Sequence, residues 1–343
     1  MHKRRRILAV VAGALALIVI AVGAIVAYTW YSVAPVFAGG GRTDPIDGRV
    51  TIALFGSDAA TWREGARIDS ITVVSLSATT GRAMVISIPR NIVTIPFPDD
   101  SPLRTLYPDG YVCPDQEHAP CMLTMVYQTG LDHADLYPGV ANPGAQATLE
   151  AVEGITGLGV NYYALVNMDG FSTLIDAIGG ITLTVKTPVV VGAVDTTYYT
   201  IPAGQHHFDG KEALWYTRTR MDTSDYDRMT RQKCVMMAVL QQTDPATVAT
   251  KLTSIADAAG AMAISNIPAS QIPQLAGLAM DAKNLSISAI SLTPPTTDPL
   301  HPDYDHIHQA VARAIAASQA RDAGQPSQPD ATTTPDLQLA CGF

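Results

Sequence analysis

Between residues 216 and 233 the chain reads YTRTRMDTSDYDRMTRQK, which collects Arg218, Arg220, Arg228, Arg231 and Lys233 in one short stretch of a protein with net charge −9. If the TRTR segment is extended, Arg218 and Arg220 point to the same side, because side chains alternate along a strand. If a helix begins near Asp225 or Tyr226, then Arg228, Arg231 and Gln232 fall at i, i+3 and i+4 and share a face. Cations so close to a helix start oppose the macrodipole, which favours anions there. The arrangement makes sense when a bound anion sits between the helix N-terminus and the guanidinium groups. Arginine rather than lysine suits planar, bidentate phosphate recognition. The competing reading is a solvated charged face with internal salt bridges to the neighbouring aspartates. Asp225 is assigned to the site, while Asp222 and Asp227 read as loop charges.

Two other segments carry suitable chemistry. In FGSDAATWREGARIDS, Asp58 follows a Gly-Ser turn at a strand exit, and Arg67 and Asp69 stand two apart where the next strand begins. Sites in open α/β sheets form beyond the carboxyl ends of strands. Two carboxylates beside an arginine suit Mg²⁺, which takes one or two carboxylates together with phosphate oxygens. Taken alone, an Asp after such a turn is as easily a turn residue or a helix cap. In ISIPRN, Arg90 leaves a strongly apolar strand after Pro89, as a surface cap or as a site residue. HPDYDHIH holds His301, His306, His308, Asp303 and Asp305 without a metal-ligand spacing, and reads as a helix start. No G-x-S-x-G elbow or P-loop occurs, which argues against an α/β-hydrolase or a nucleotide-driven kinase.

The elements that must position these residues follow from patterning. RVTIALFG, ITVVSLS and AMVISIP are short and rich in β-branched residues, as strands are. Residues 92–120 read as an irregular surface excursion, and Met122 to about Gly157 as helical. YYALV (162–166) is a strand, DGFSTLIDAIGG a helix stopped by Gly179 or Gly180, and ITLTV a strand. Asp209-Gly-Lys-Glu starts a helix, and another runs from near Tyr226 through Leu240. Residues 245–280 read as helical, NLSISAISL as the last strand, and HPDYDHIHQAVARAIAASQA as the last helix. Strands alternating with helices predict an α/β domain with a central sheet.

Composition places the domain. Lys3, Arg4, Arg5 and Arg6 precede an uncharged apolar run of about 22 residues, roughly 33 Å of helix, which spans a bilayer core of about 30 Å. That length favours a retained anchor over a signal peptide, whose apolar region is about 7–15 residues. The basic tail orients the N-terminus to the cytoplasm, with a single pass through the cell membrane and the rest extracellular. The boundaries predicted are a cytoplasmic tail at 1–6, an anchor at 7–29, a linker at 30–48 and a domain at 49–320 with a Cys-containing insertion at about 97–121. A disordered Pro/Thr/Gln tail is expected at 321–343. Beyond the tail at 1–6, 18 of the 22 Lys and Arg remain against 31 Asp and Glu, which excludes nucleic acid as a partner. Cys113 and Cys121 can close a small loop, leaving Cys234 and Cys341 as the second pair by even number alone.

In order along the chain, LFGSD, RIDSITVVSLSATTGRAMVISIPRN, VNMDGFSTLIDAIGGITLTV, IPAGQHHFDGKEALWYTRTR and DYDRMTRQ resemble the LytR–CpsA–Psr family of cell-envelope proteins, over roughly residues 49–240. The resemblance implies a three-layer α/β/α domain with a central mixed sheet, outside the cell behind one N-terminal transmembrane helix. It implies transfer of a glycan phosphate from a polyprenyl-pyrophosphate carrier to peptidoglycan or a related wall polymer. Carried over by position, Asp58 and Asp69 resemble the carboxylates that hold Mg²⁺. Arg67, Arg90, Arg218 and Arg220 resemble pyrophosphate-binding arginines, and Asp225, Arg228, Arg231 and Gln232 match the acidic-plus-basic helix start. Asp58, Asp69, Arg90, Arg218 and Asp225 are then the catalytic set, with Asp58, Asp69 or Asp225 as general base. Asn91 stands where the family usually has Asp, and Thr124 where it has Asn. The carrier's tail needs an apolar groove, which FSTLIDAIGG and neighbouring Ile, Leu and Met residues can line, although core is the ordinary role of such residues. Two alternatives share the site: hydrolysis of the carrier pyrophosphate, and non-catalytic binding of the lipid-linked glycan.

Overall fold

The computed structural model describes residues 39–59, 66–112, 121–193, 196–221, 223–243, 263–325 and 332–343. The strands are β1 (Arg49–Ser57), β2 (Ile68–Ser77), β3 (Ala83–Ile88), β4 (Tyr162–Val166), β5 (Ile181–Val185), β6 (Val189–Ala193), β7 (Thr196–Ile201), β8 (Gly204–Phe208), β9 (Ala263–Ser265), β10 (Ser288–Ser291) and β11 (Thr333–Thr334). The helices are α1 (Leu123–Asp132), α2 (Pro143–Thr156), α3 (Met168–Ala177), α4 (Gly210–Arg218), α5 (Asp225–Gln242), α6 (Ile272–Lys283), α7 (Tyr304–Asp322) and α8 (Leu337–Cys341).

One seven-stranded sheet of order β11-β10-β3-β2-β1-β4-β9 organises the domain. It is mixed: β1 runs parallel to β4 and β3 parallel to β10, while the other pairings are antiparallel. All six residues of β3 are buried, the pattern of a strand covered on both faces. Alternate residues serve two cores. Ala53, Phe55, Val73 and Ile86 pack beneath α1, α2 and α7, whereas Val50, Leu76 and Val85 face α5, α6 and α8. A third cluster joins α3, α4 and α5 to the small β5–β8 and β6–β7 sheets. The layers are therefore helix, sheet, helix, as expected.

Several expectations need correction. Residues 97–112 are not a surface excursion: Phe97, Leu103 and Tyr111 are buried in the first core, and Phe97, Tyr107 and Tyr111 contact one another ring to ring. Enough apolar surface is buried there to order a Pro-rich segment. Residues 332–343 are not part of a disordered tail, because β11 pairs with β10 and Leu337 and Cys341 are buried. Cys341 is disulfide-bonded to Cys234 on α5, which closes the second core at its edge. Cys121 is also disulfide-bonded, and its expected partner Cys113 lies outside the described residues. Within the stretch read as helical from 245 to 280, residues 263–265 pair with β4 as an edge strand. Strands β6, β7 and β8 were not evident in the sequence. Asp227 is a capping residue rather than a loop charge: Ser224 Oγ accepts from its backbone N–H, and its carboxylate accepts from the Ser224 amide.

Part of the linker is docked on the domain. Arg42 pairs with Glu153 at 2.8 Å, and Asn161 Nδ2 donates to the carbonyls of Arg42 and Asp44. Among the described residues no helix is long and apolar enough to cross a membrane. Residues 7–29 lie outside them.

Candidate active site

The site lies where β1, β3 and β4 end and β2 begins. β1 and β2 pair regularly from Arg49↔Ser77 to Gly56↔Ser70, and then Ser57 pairs with Ile68. Asp69 is thus the extra residue of a β-bulge, a device that re-aims a side chain beside a site. Its Oδ1 accepts from Arg90 Nη1 at 2.6 Å and from Thr124 Oγ1 at 3.3 Å. Asp58 is buried, and its Oδ1 accepts from the Arg67 backbone N–H at 2.8 Å. The Asp58 amide in turn donates to the Arg67 carbonyl, so the strand exit is clamped across the pair.

The second half comes from α4 and α5. A capping box of Asp209 and Glu212 starts α4, which ends on Arg218. Arg218 therefore sits in a last helical turn rather than in a strand, and Arg220 follows in the connection to α5. Asp225 is the first residue of α5, where a carboxylate complements the dipole. It gathers three guanidinium groups: Arg228 at 3.0 Å, Arg220 at 3.4 Å and Arg90 at 3.8 Å. Burial works to lower the Arg90 pKa, but Asp69, Asp225 and Asp58 together hold it above that of an ordinary arginine. Arg228 goes the other way, lowered chiefly by burial and further by Arg90, with Asp225 opposing.

These residues surround a cavity of about 800 Å³, within the range of ligand pockets. Arg67, Arg90, Arg218, Arg220 and Arg228 line it, against the carboxylates Asp58 and Asp69. Along α5 the lining changes from Arg228 and Gln232 to Val235, Met236 and Val239, a stripe of i, i+4, i+7, i+8 and i+11. That is a gradient from cation to hydrocarbon over about 16 Å of helix. Phe171 and Leu174 of α3 and Leu214 of α4 continue the apolar wall.

Two predicted residues have other roles. Arg231 is buried and donates through Nε to the Tyr216 carbonyl at 2.8 Å, through Nη2 to the Thr219 carbonyl, and through Nη1 to Thr223 Oγ1 at 3.3 Å. It ties the α4–α5 connection together and is not part of the cavity wall. Asp225 braces three arginines from behind that wall. Gln232 does line the cavity, held by Ser70 Oγ at 3.1 Å and the Thr217 carbonyl at 3.3 Å. The apolar stripe on α5 was missed in the sequence, although its helical spacing from Arg228 onward was the available signal.

The donor set fits Mg²⁺ in kind. Asp58 and Asp69 present hard oxygens to one cavity, and this ion normally completes its shell with phosphate oxygens and water. Among the described residues no group of three or more His, Cys, Asp and Glu side chains converges so as to hold a metal by itself.

Residues 41–315 match the LytR_cpsA_psr family. The chain is 30% identical over 216 residues to the polyisoprenyl-teichoic acid–peptidoglycan teichoic acid transferase TagU of Oceanobacillus iheyensis, covering 62% of this chain and 57% of that one. It is 27% identical over 255 residues to the cell wall biosynthesis protein LcpA of Corynebacterium glutamicum, covering 64% and 46%. The chain thus spans about half the length of these relatives. The solved structure of TagT bound to LIIa-WTA superposes with a TM-score of 0.56 at 22% identity, over 81% of this chain and 96% of that one, a likeness of fold.

Proposed function

This chain belongs to the LytR–CpsA–Psr family, and from that premise we propose that it transfers a glycan phosphate from a polyprenyl-pyrophosphate carrier to peptidoglycan or a related wall acceptor. The observation that carries this reading is the polarity gradient of the cavity, arginines at one end and hydrocarbon along α5 beyond them. An amphiphile with a pyrophosphate head and an isoprenoid tail has the same order of chemistry. The head would lie among Arg67, Arg90, Arg218, Arg220 and Arg228, and the tail against Phe171, Leu174, Val235, Met236 and Val239.

Phosphoryl transfer depends mainly on positioning and charge stabilisation. The acceptor sugar hydroxyl attacks the phosphorus that bears the glycan, and a new O–P bond forms. The bond from that phosphorus to the bridging oxygen breaks, and polyprenyl phosphate leaves with the electron pair. The hydroxyl proton passes to one of the cavity carboxylates, Asp58 or Asp69. Guanidinium groups stabilise the charge on the equatorial and leaving oxygens. Asp225 keeps Arg90, Arg220 and Arg228 splayed toward one point, a positioning role. Mg²⁺ held by Asp58 and Asp69, when bound, would neutralise pyrophosphate charge and polarise the attacked phosphorus. Two carboxylates in an anion site favour an enzyme over a receptor, since added negative charge only weakens anion binding unless it holds a cation or takes a proton. In this reading residues 7–29 anchor the chain in the membrane with the domain outside the cell.

The test is incubation of the membrane-reconstituted chain with a polyprenyl-pyrophosphate glycan, Mg²⁺ and wall acceptor. A phosphodiester-linked product is expected. Release of phosphate without that product would establish hydrolysis instead, and tight binding with neither would leave a binding protein.

A further inference from the structure

Outside the cavity two tyrosines of one strand stand in the open. Tyr198 on β7 is 53% exposed, and its neighbour Tyr199 is 41% exposed. The Tyr198 ring meets Trp215 of α4 edge-on, with centroids 5.4 Å apart and planes at 83°. Trp215 packs on its inner side against the cluster of α3, α4 and α5, which fixes it. The guanidinium of Arg218 lies over the Trp215 ring, 5.5 Å from its centroid, and Arg218 also lines the cavity. The hairpin is held to the same helix end, because Thr219 Oγ1 donates to the Val190 carbonyl of β6 at 2.6 Å. The Tyr198–Trp215 pair is thus joined through two residues, Arg218 and Thr219, to the arginine-lined end of the cavity.

We propose that the exposed ring of Tyr198, braced edge-on by Trp215, is a stacking shelf for one uncharged pyranose ring of the acceptor glycan, set beside the reacting phosphate by Arg218. A pyranose face presents several C–H bonds, which the negative face of an aromatic ring attracts while the sugar hydroxyls stay in water. The inference rests on the transferase reading and adds where its acceptor binds. The donor is already held through its tail and pyrophosphate, so the acceptor is the substrate that needs contacts of its own. A polymeric acceptor also continues in both directions, which an exposed hairpin accommodates and an enclosed pocket does not.

The experiment titrates the full chain, reconstituted in lipid nanodiscs, with a β-1,4-linked N-acetylglucosamine tetrasaccharide. Inorganic pyrophosphate is titrated in parallel, and transfer from the lipid donor is assayed on the wild type. Tyr198→Ala is expected to weaken tetrasaccharide binding about tenfold, while Tyr198→Phe binds as wild type and pyrophosphate affinity is unchanged in both. Equal tetrasaccharide affinity for wild type and Tyr198→Ala, or no binding by wild type, overturns the shelf. A parallel loss of pyrophosphate affinity in Tyr198→Ala overturns it too, since the ring would then serve the donor side. Failure of the transferase reading looks different: no phosphodiester product from wild type, with the tetrasaccharide still bound through Tyr198.

Discussion

Asp225→Asn is the substitution that most directly tests the brace. Asp225 is 23% exposed, and its closest partner Arg228 only 6%, with N–O contacts of 3.0 Å to Arg228, 3.4 Å to Arg220 and 3.8 Å to Arg90. At an effective dielectric constant of about 20, the 3.0 Å contact amounts to roughly 5 kcal/mol before desolvation is counted. Removing one partner of a buried pair typically costs about 3–5 kcal/mol, because the other charge stays buried. Here asparagine retains an acceptor oxygen for Arg228, Arg90 retains Asp69, and the Arg220 pair is half exposed and contributes little. The expected loss is therefore about 2–3 kcal/mol, or a melting temperature lower by roughly 5–10 °C for a domain of this size. The brace adds a signature that ordinary destabilisation lacks. With Asp225 neutralised the cavity is more cationic, so saturating inorganic pyrophosphate restores more stability to the variant than it adds to wild type. Scanning calorimetry with and without pyrophosphate measures both quantities. A variant melting within about 2 °C of wild type, or one stabilised less than wild type by pyrophosphate, would refute the assignment of Asp225 as the support for Arg228.

Arg231→Lys is expected to lose about 2–3 kcal/mol by urea denaturation, since an ammonium cannot reproduce three directed bonds to Tyr216, Thr219 and Thr223. Any loss of pyrophosphate affinity in that variant should track its unfolding, whereas Arg90→Ala should weaken pyrophosphate binding in a folded protein. Cys341→Ser removes a cross-link between residues 107 apart in sequence. It should cost roughly 4–5 kcal/mol and make residues 332–343 the first site of limited proteolysis. Burial raises the Tyr163 phenol to about 12 from its ordinary value near 10. A raised folded-state value stabilises fully below pH 10 and is lost as pH climbs toward 12, so wild type should shed about 2–3 kcal/mol across that window that Tyr163→Phe does not.

The first three strands, the capped helix after Asp209 and the helix after Ser224 were legible because each carries its own signal within ten or so residues. β-branched runs mark Arg49–Ser57 and Ala83–Ile88, and Asp209 with Glu212 spells a capping box. Strands β6 to β8 were not legible. TTYYTI and GQHHF are largely exposed, so they lack the alternation that burial imposes on a strand. The C-terminal segment read as a tail because its order comes from a disulfide and a pairing with β10, both contributed by distant residues.

Sequence alone showed which residue types gather, four arginines among three aspartates between residues 216 and 233, a set open both to anion binding and to internal salt bridges. It also determined that Asp58, Arg67, Asp69 and Arg90 stand at strand ends, where sheets of this kind place their ligands. How the arginines divide depends on packing between distant segments. Arg228 and Arg231 share one face of α5, yet one lines the cavity and the other closes on backbone carbonyls of the preceding connection. Helical periodicity assigns a face. What that face meets depends on where β2, α4 and the hairpin bearing Tyr198 are packed, and those contacts join residues up to about 160 positions apart.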